Sequence, residues 1–281
     1  MPELPEVEIT ARLIGAAVSG ARVESALAPG INALKTFDPP LHALDGRAVE
    51  GIRRRGKLFL VGFEGDLTLL VHLMSAGRLQ LYDKRAGLRD RTSRVLVRLD
   101  DGRELRLREF GTRQRAWVKL LTEDGLAEEE ALAALGPEAW PEPPPFDELL
   151  TAPRPLHGLL RDQHVIAGIG RSWVDEILWT AMLSPFKRGD DLGPEEADAL
   201  RAATVGELGR ALEHYERTLQ LPIPDKLPMP LQVHRHQGEP CPRCSTTLEA
   251  VFYEDYVMTY CPACQTEGRV LKDRRLSRLL K

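Results

Sequence analysis

The chain has 281 residues, 43% of them hydrophobic and 28% charged, with a net charge of −4. This is an ordinary globular balance, large enough for one big domain or two to three small ones. No stretch approaches the roughly 18 consecutive apolar residues of a membrane span, and the opening MPELPEVE lacks the apolar run or basic cluster of a targeting segment. The expectation is a cytoplasmic protein with no membrane partner.

Residues 6–18 read as a helix, with Val7, Ala11, Ile14 and Val18 at helical spacing and Pro5 suited to a first turn. From about 20 to 120 the texture changes to short strands such as LFLVGF, LTLLVHL, GRLQLY, RVLVRL, ELRLREF and RAWVKLL, separated by turn residues. Closely spaced antiparallel strands favour a sandwich or a barrel. Residues 121–150 hold nine acidic side chains and no Lys or Arg, and their proline density marks a linker that stays extended. The pattern from about 151 to 220 is helical, and a proline-rich loop then leads to four cysteines within the last 41 residues. The division that follows is 1–120, a linker at 121–150, 151–236 and 237–281.

An acidic total argues mildly against a nucleic-acid partner, but the basic residues are clustered. Arg53, Arg54, Arg55 and Lys57 form one group, residues 103–119 a second, and residues 269–281 a third with six basic side chains against one Asp. A polyanion could bind these groups while the acidic stretch stays in solvent; solvated faces of strands and helices would give the same pattern.

Cys241-Pro-Arg-Cys244 and Cys261-Pro-Ala-Cys264, sixteen residues apart, can place four thiolates tetrahedrally on one zinc ion. With all four positions filled by protein, the metal is expected to be structural and to hold a module too short to bury its own core. In DQHVIAGIGRSWVDEILWTAML, Gly168 and Gly170 punctuate the step from a short helix to a longer one, with Ser172 and Asp175 spaced as a capping box. Glycines before a helix start expose amides to an anion, although a tight connection between core helices needs them equally. At the opening, removal of Met1 would leave Pro2 as a secondary amine titrating near pH 8, able to attack an aldehyde carbon, with Glu3 and Glu6 close enough to move protons. Ordinary dressing of a helix N-terminus accounts for the same residues.

Taken together, PELPEVE at the start, the glycine-punctuated helix pair and the four-cysteine ribbon followed by Gln265 resemble the formamidopyrimidine-DNA glycosylase/endonuclease VIII family, in the same order over essentially the whole chain. The resemblance implies an α+β multidomain fold. It would comprise an N-terminal helix with a two-layer antiparallel β-sandwich, a helix–two-turn–helix domain and a zinc ribbon, with DNA in the cleft between the halves. It implies a bifunctional glycosylase and abasic-site lyase of base excision repair. Such an enzyme acts as a nucleoid-associated monomer on double-stranded DNA that carries a damaged base or an abasic site. By matching position Pro2 would be the nucleophile, Glu3 the proton donor, Glu6 an aid to the sugar and the proton shuttle, and Lys57 a phosphate ligand near the lesion. His72 would be another phosphate neighbour, Arg108 would contact the orphaned base, and Phe110 would wedge beside it.

Several positions depart from the family pattern. Arg171 stands where an asparagine normally binds phosphate, and Tyr256 where an arginine reaches from the finger hairpin, so phosphate gripping is weakened or moved. In HLMSAGRL, Ser75 takes the place of the stack-filling methionine and Met74 lies one residue earlier; on a strand that shift would turn it to the opposite face. The stretch LQLPIPDKLPMPLQVH does not resemble the loop that closes over an oxidised purine. These changes keep two alternatives in view: a non-catalytic relic that still binds damaged DNA, and a zinc-ribbon protein that binds partners through its acidic linker.

Overall fold

The computed structural model describes residues 2–87, 89–110, 113–254 and 256–271. Helix α1 (Leu4–Val18) begins two residues before the periodicity suggests, and buries Leu4, Val7, Ala11, Ile14 and Val18 along one face. Eight strands follow: β1 (Val23–Leu27), β2 (Val49–Arg55), β3 (Leu58–Phe63), β4 (Leu67–His72), β5 (Gly77–Tyr82), β6 (Ser93–Leu99), β7 (Glu104–Glu109) and β8 (Trp117–Leu121). They form two four-stranded antiparallel sheets, ordered β1-β6-β7-β5 and β2-β3-β4-β8. Of the two strand architectures the sequence allowed, this is the sandwich. Phe59, Phe63, Leu69 and Val71 from one sheet and Val95, Val97, Leu105 and Leu107 from the other share one core with Val7 and Ile14 of α1.

Two compact units emerge: Met1–Ala134 with Leu212–Pro228, and Leu135–Ala211 with Met229–Lys281. The stretch expected to stay extended instead folds into α2 (Glu123–Ala127), α3 (Glu130–Ala133) and, in the second unit, α4 (Phe146–Leu149). Thr122 caps α2 by accepting from the Gly125 amide, and Glu129 is buried against Lys119 at 2.7 Å. Ala139, Phe146 and Leu150 are buried too, so apolar anchors override the proline density.

The second unit contains α5 (Leu156–Leu159), α6 (Arg171–Thr180), α7 (Pro194–Thr218, counted here through Ala211), the hairpin β9 (Glu249–Phe252) and β10 (Val257–Tyr260), and α8 (Pro262–Gln265). The capping box expected of Ser172 and Asp175 does not set the start of α6. Arg171 is already its first residue, Gly170 is the N-cap, and the Asp175 carboxylate is buried against the His234 ring at 2.6 Å and the Thr259 amide at 3.0 Å. Its neighbour Glu176 is buried and accepts the amides of Gln232, Val233 and His234 at 3.0, 3.0 and 2.8 Å. Burial pushes the Glu176 carboxyl up from its ordinary range, against the pull of those three amides. Of the third basic group, residues 272–281 lie outside the described residues.

Replacing Glu176 by Ala leaves three amides without their acceptor. The expected loss is about 3 kcal/mol or more of unfolding free energy, read as a lower urea midpoint; an unchanged midpoint would show that the loop does not depend on this carboxylate.

Candidate functional site

The start of α1 is a closed hydrogen-bonded turn. Glu3 is the N-cap, and its amide donates to Oε2 of Glu6 at 2.9 Å in a reciprocal capping box. Both carboxylates are buried, at 1% and 2% exposure, whereas Pro2 is half-exposed. The other oxygen of Glu6, Oε1, accepts from the hydroxyl of Tyr215 at 2.8 Å. Tyr215 is fully buried on the last turns of α7, which count with the first unit. Burial, and then the charge of Glu6, push the Tyr215 phenol far above its ordinary range, so it keeps its proton and acts as the donor. One turn along, Glu8 pairs with Arg12 at 2.7 Å and Arg54 at 2.8 Å, and Arg12 also pairs with Glu216 of α7. Burial would raise the Glu8 carboxyl, but the hydrogen bonds from Arg54 and Arg12 outweigh it and hold it below the usual range.

Lys57 and His72 meet on the second sheet. Lys57 lies in the turn between β2 and β3, and His72 ends β4, paired with Leu58 and stacked on Trp117 of β8 at 5.5 Å between ring centres. The Met74 amide donates to Nδ1 of His72 at 2.8 Å, which places the ring proton on Nε2. Burial first, and then the Lys57 charge, lower the His72 pKa to about 4, so the ring is a neutral Nε2–H donor at physiological pH. Met74 and Ser75 occupy a turn after β4 and not a strand, and Met74 is left-handed at φ 50°. The expected reversal of the Met74 face by strand alternation therefore does not apply; the turn directs these side chains. A Cβ on Gly77, which closes that turn, would lie 2.4 Å from the Leu73 carbonyl oxygen.

Arg108 on β7 is held by neighbours in its own unit. It donates to Thr92 at 3.1 Å and Tyr82 at 2.6 Å, approaches Asp225 at 3.3 Å, and lies 4.5 Å from the ring centre of the exposed Phe110. Asp225 belongs to the unusual proline-rich stretch, which is fastened to β5. Gln80 donates to the Ile223 carbonyl at 3.0 Å and to Asp225 at 2.8 Å, and Arg78 donates to the Asp225 carbonyl at 2.6 Å. Glu109 is buried and accepts the Arg115 and Ala116 amides at 2.7 and 3.0 Å, closing the loop that carries Phe110.

In the second unit Gly168 is left-handed at φ 110°, its amide is taken by Gln163 at 3.0 Å, and Gly170 leads into α6. Tyr256 lies against Tyr253 at 4.3 Å between ring centres and His157 at 5.7 Å, with the guanidinium of Arg161 4.2 Å and that of Arg171 5.4 Å from its centre. Arg171 and Tyr256 are thus neighbours. The four cysteine sulfurs all lie within 4.8 Å of one another, with contacts of 3.4 Å from Cys244 to Cys261 and to Cys264 and 4.0 Å between Cys241 and Cys264. They form a possible metal-binding group.

The profile of the formamidopyrimidine-DNA glycosylase N-terminal domain matches residues 1–114, and that family's H2TH domain matches residues 135–222. A formamidopyrimidine-DNA glycosylase of Pediococcus pentosaceus is 31% identical over 278 residues, covering 94% of this chain and 99% of that protein. The enzyme of the same name from Chloroflexus aurantiacus is 32% identical over 277 residues, covering 94% and 98%. The chain belongs to the formamidopyrimidine-DNA glycosylase family. Among solved structures, a mutant Lactococcus lactis family member in complex with a Fapy-dG containing DNA aligns with a TM-score of 0.83 at 26% identity, covering 94% of this chain and all of that one. A family member in complex with carbocyclic 8-oxo-G containing DNA aligns equally, again with a TM-score of 0.83 and 26% identity.

Within this family fold, the residues that sequence reasoning missed are Tyr215, Asp225, Glu109 and Arg161. Only Tyr215 carries a signal. It continues the buried stripe of Leu208, Ala211 and Leu212 at helical spacing, and a tyrosine on a core face needs a partner for its hydroxyl.

Because both burial and Lys57 disfavour the imidazolium, His72 takes a proton in the unfolded chain near its ordinary 6.5 but in the folded chain only near 4. Stability conferred by this residue therefore rises with pH across that window and is lost below it. NMR of the ring carbons is expected to show no titration of His72 above about pH 5.5, and Lys57→Ala is expected to move its midpoint upward. A wild-type midpoint near 6.5 would contradict this account.

Proposed function

We propose that the chain is a DNA glycosylase of base excision repair with abasic-site lyase activity, working as a monomer on double-stranded DNA. The observation that carries the reading is the closed turn at the start of α1. It sets two buried carboxylates beside Pro2 and fixes one of them from both sides. The family complexes with Fapy-dG and 8-oxo-G DNA support a damaged base as the substrate.

In this reading the damaged nucleotide leaves the stack, since its glycosidic carbon is unreachable inside the duplex. With Met1 removed, the Pro2 nitrogen bonds to C1′ as the bond from C1′ to the base breaks, and the proton of the attacking amine is released. The bond from C1′ to the ring oxygen O4′ then breaks, Glu3 supplies a proton to O4′, and the nitrogen and C1′ of the opened sugar become an iminium cation. Loss of a proton from C2′ passes its electron pair toward that cation and expels the 3′ phosphate by β-elimination; δ-elimination can follow. Glu6 is the fixed anion beside the cation and takes part in moving protons. Lys57 carries positive charge, and neutral His72 presents its Nε2–H as a phosphate donor. Arg108 and Phe110 face the gap left by extrusion, Met74 and Ser75 border it, and Gly168, Gly170, Arg171 and Tyr256 bind the backbone. The stretch from Ile223 to Asp225 is fastened to β5.

We also assign one structural zinc ion to Cys241, Cys244, Cys261 and Cys264. At a Zn–S bond of roughly 2.3 Å a tetrahedron places its sulfurs about 3.8 Å apart, and the contacts of 3.4 to 4.0 Å bracket that value. When bound, the metal supplies cross-linking in place of a core; all four positions are taken by protein, so it offers no open site.

Borohydride is expected to trap a covalent complex between the protein and abasic duplex DNA, with the adduct mapped to Pro2, and Glu3→Gln is expected to abolish nicking of a lesion panel containing 8-oxoguanine, formamidopyrimidine and thymine glycol. Tight binding without trapping or nicking, in protein shown by mass spectrometry to lack Met1, would leave a damaged-DNA-binding relic instead. Elemental analysis is expected to find one zinc per chain. Its removal by chelator is expected to lower the melting temperature and DNA binding together, and a metal-free preparation with wild-type stability would dismiss the structural assignment.

A further inference from the structure

Tyr215 lies beside the proposed chemistry, hydrogen-bonded to Glu6. Glu6 has two carboxylate oxygens, and each has its own donor. Oε2 accepts the Glu3 amide at 2.9 Å, and an amide can only donate. Oε1 accepts the Tyr215 hydroxyl at 2.8 Å, from a side chain 209 positions away in sequence and fully buried. We propose that Tyr215 is a positioning residue for the reaction at Pro2: its hydroxyl holds Glu6 ionised and in one orientation at the start of α1.

A carboxylate buried to 2% exposure pays heavily for its charge unless donors replace water. One amide satisfies one oxygen only. A second donor on the other oxygen favours the charged form again, and it also removes the freedom of the carboxylate to rotate away. An ionised Glu6 suits the chemistry assigned above, which passes through a cationic nitrogen at Pro2. A protonated Glu6 would offer that cation nothing and could not accept a proton. Tyr215 is itself firmly placed, because Arg12 of α1 pairs with Glu216, the next residue of α7, and His214 packs edge-on against its ring at 5.8 Å.

Other ionisable groups on elements packed against α1 include Glu50, Arg53, Arg54 and Arg55 of β2, Arg78 and Tyr82 of β5, and His214 and Glu216 of α7. Arg54 is taken by Glu8, Arg53 is exposed, Arg78 is turned to the Asp225 carbonyl, and Tyr82 donates to Gln80. Beside Glu6 itself, Glu3 adds a like charge that would favour protonation. The Tyr215 hydroxyl works against that push.

The inference rests on the proposed function only for its consequence, so the test reads it in two ways. The substitution is Tyr215→Phe, which removes one oxygen and keeps the ring. In the free protein, the Glu6 carboxyl carbon is followed by 13C NMR against pH and assigned by its loss in Glu6→Gln. Its midpoint is expected to rise by about one pH unit, a tenfold gain in proton affinity. In single-turnover borohydride trapping on abasic DNA, the acid limb of the rate profile is expected to move up by the same amount, with rates near wild type above it. A tyrosine that merely filled space would lower the melting temperature and the rate at every pH and leave both midpoints where they were. A Glu6 titration that superimposes on wild type overturns the inference. If the wild type traps no DNA at all, the proposed function falls while the carboxyl titration still decides the role of Tyr215.

Discussion

The first unit is organised around a carboxylate that cannot be in water. Glu6 is buried where an unpaired charge would cost several kcal/mol, and it persists because an amide and a phenol meet its two oxygens. The amide comes from the same helical turn and is there whenever α1 forms. The phenol comes from 209 positions further along the chain and is there only when the last turns of α7 have docked. The start of α1 is thus complete only after distant elements have folded onto it. The pairs of Glu8 with Arg54 and of Arg12 with Glu216 tie the same helix to β2 and to α7. A short opening sequence becomes a site by being clamped from outside itself.

The second unit uses the same device without chemistry. Glu176 gathers three successive amides of the loop before the cysteines, and Asp175 joins the His234 ring to the Thr259 amide of β10. An acid at the start of a core helix does there what a hydrophobic cluster would do in a larger module. Among the described residues eight acidic side chains but only two arginines are buried, so part of the acidity of the chain lies inside the fold.

What could be read from the sequence was local. The stripe Val7, Ala11, Ile14 and Val18, the strand alternations and the two Cys-x-x-Cys pairs are patterns within a few residues of one another, and the fold repeats them. What could not be read was either a contact at long range or a contest between local preferences. Tyr215 meets Glu6, and Asp225 meets Gln80 and Arg108, across separations that no periodicity encodes. Residues 121–150 have the composition of an extended linker, yet Thr122 supplies a helix cap and Phe146 a buried anchor, and these win. At Met74 the strand pattern of LTLLVHL suggests continuation, but the His72 imidazole captures the next free amide and the chain turns.

The same distinction applies to Arg171 and Tyr256 in the second unit. As isolated positions in the sequence, Arg171 and Tyr256 are a cation and an uncharged ring. In space they form a single arrangement, with Arg161 and Arg171 both near the Tyr256 ring and Tyr253 stacked against it. An aromatic face attracts a guanidinium through its quadrupole while leaving the in-plane N–H donors able to bind elsewhere. A tyrosine at the hairpin therefore has a use that an arginine there would not: it seats cations carried by the helical segment, where a third arginine at 256 would repel them. The positive charge of this part of the unit thus lies on Arg171 at the start of α6 and on Arg161 just after α5, both beside the Tyr256 ring.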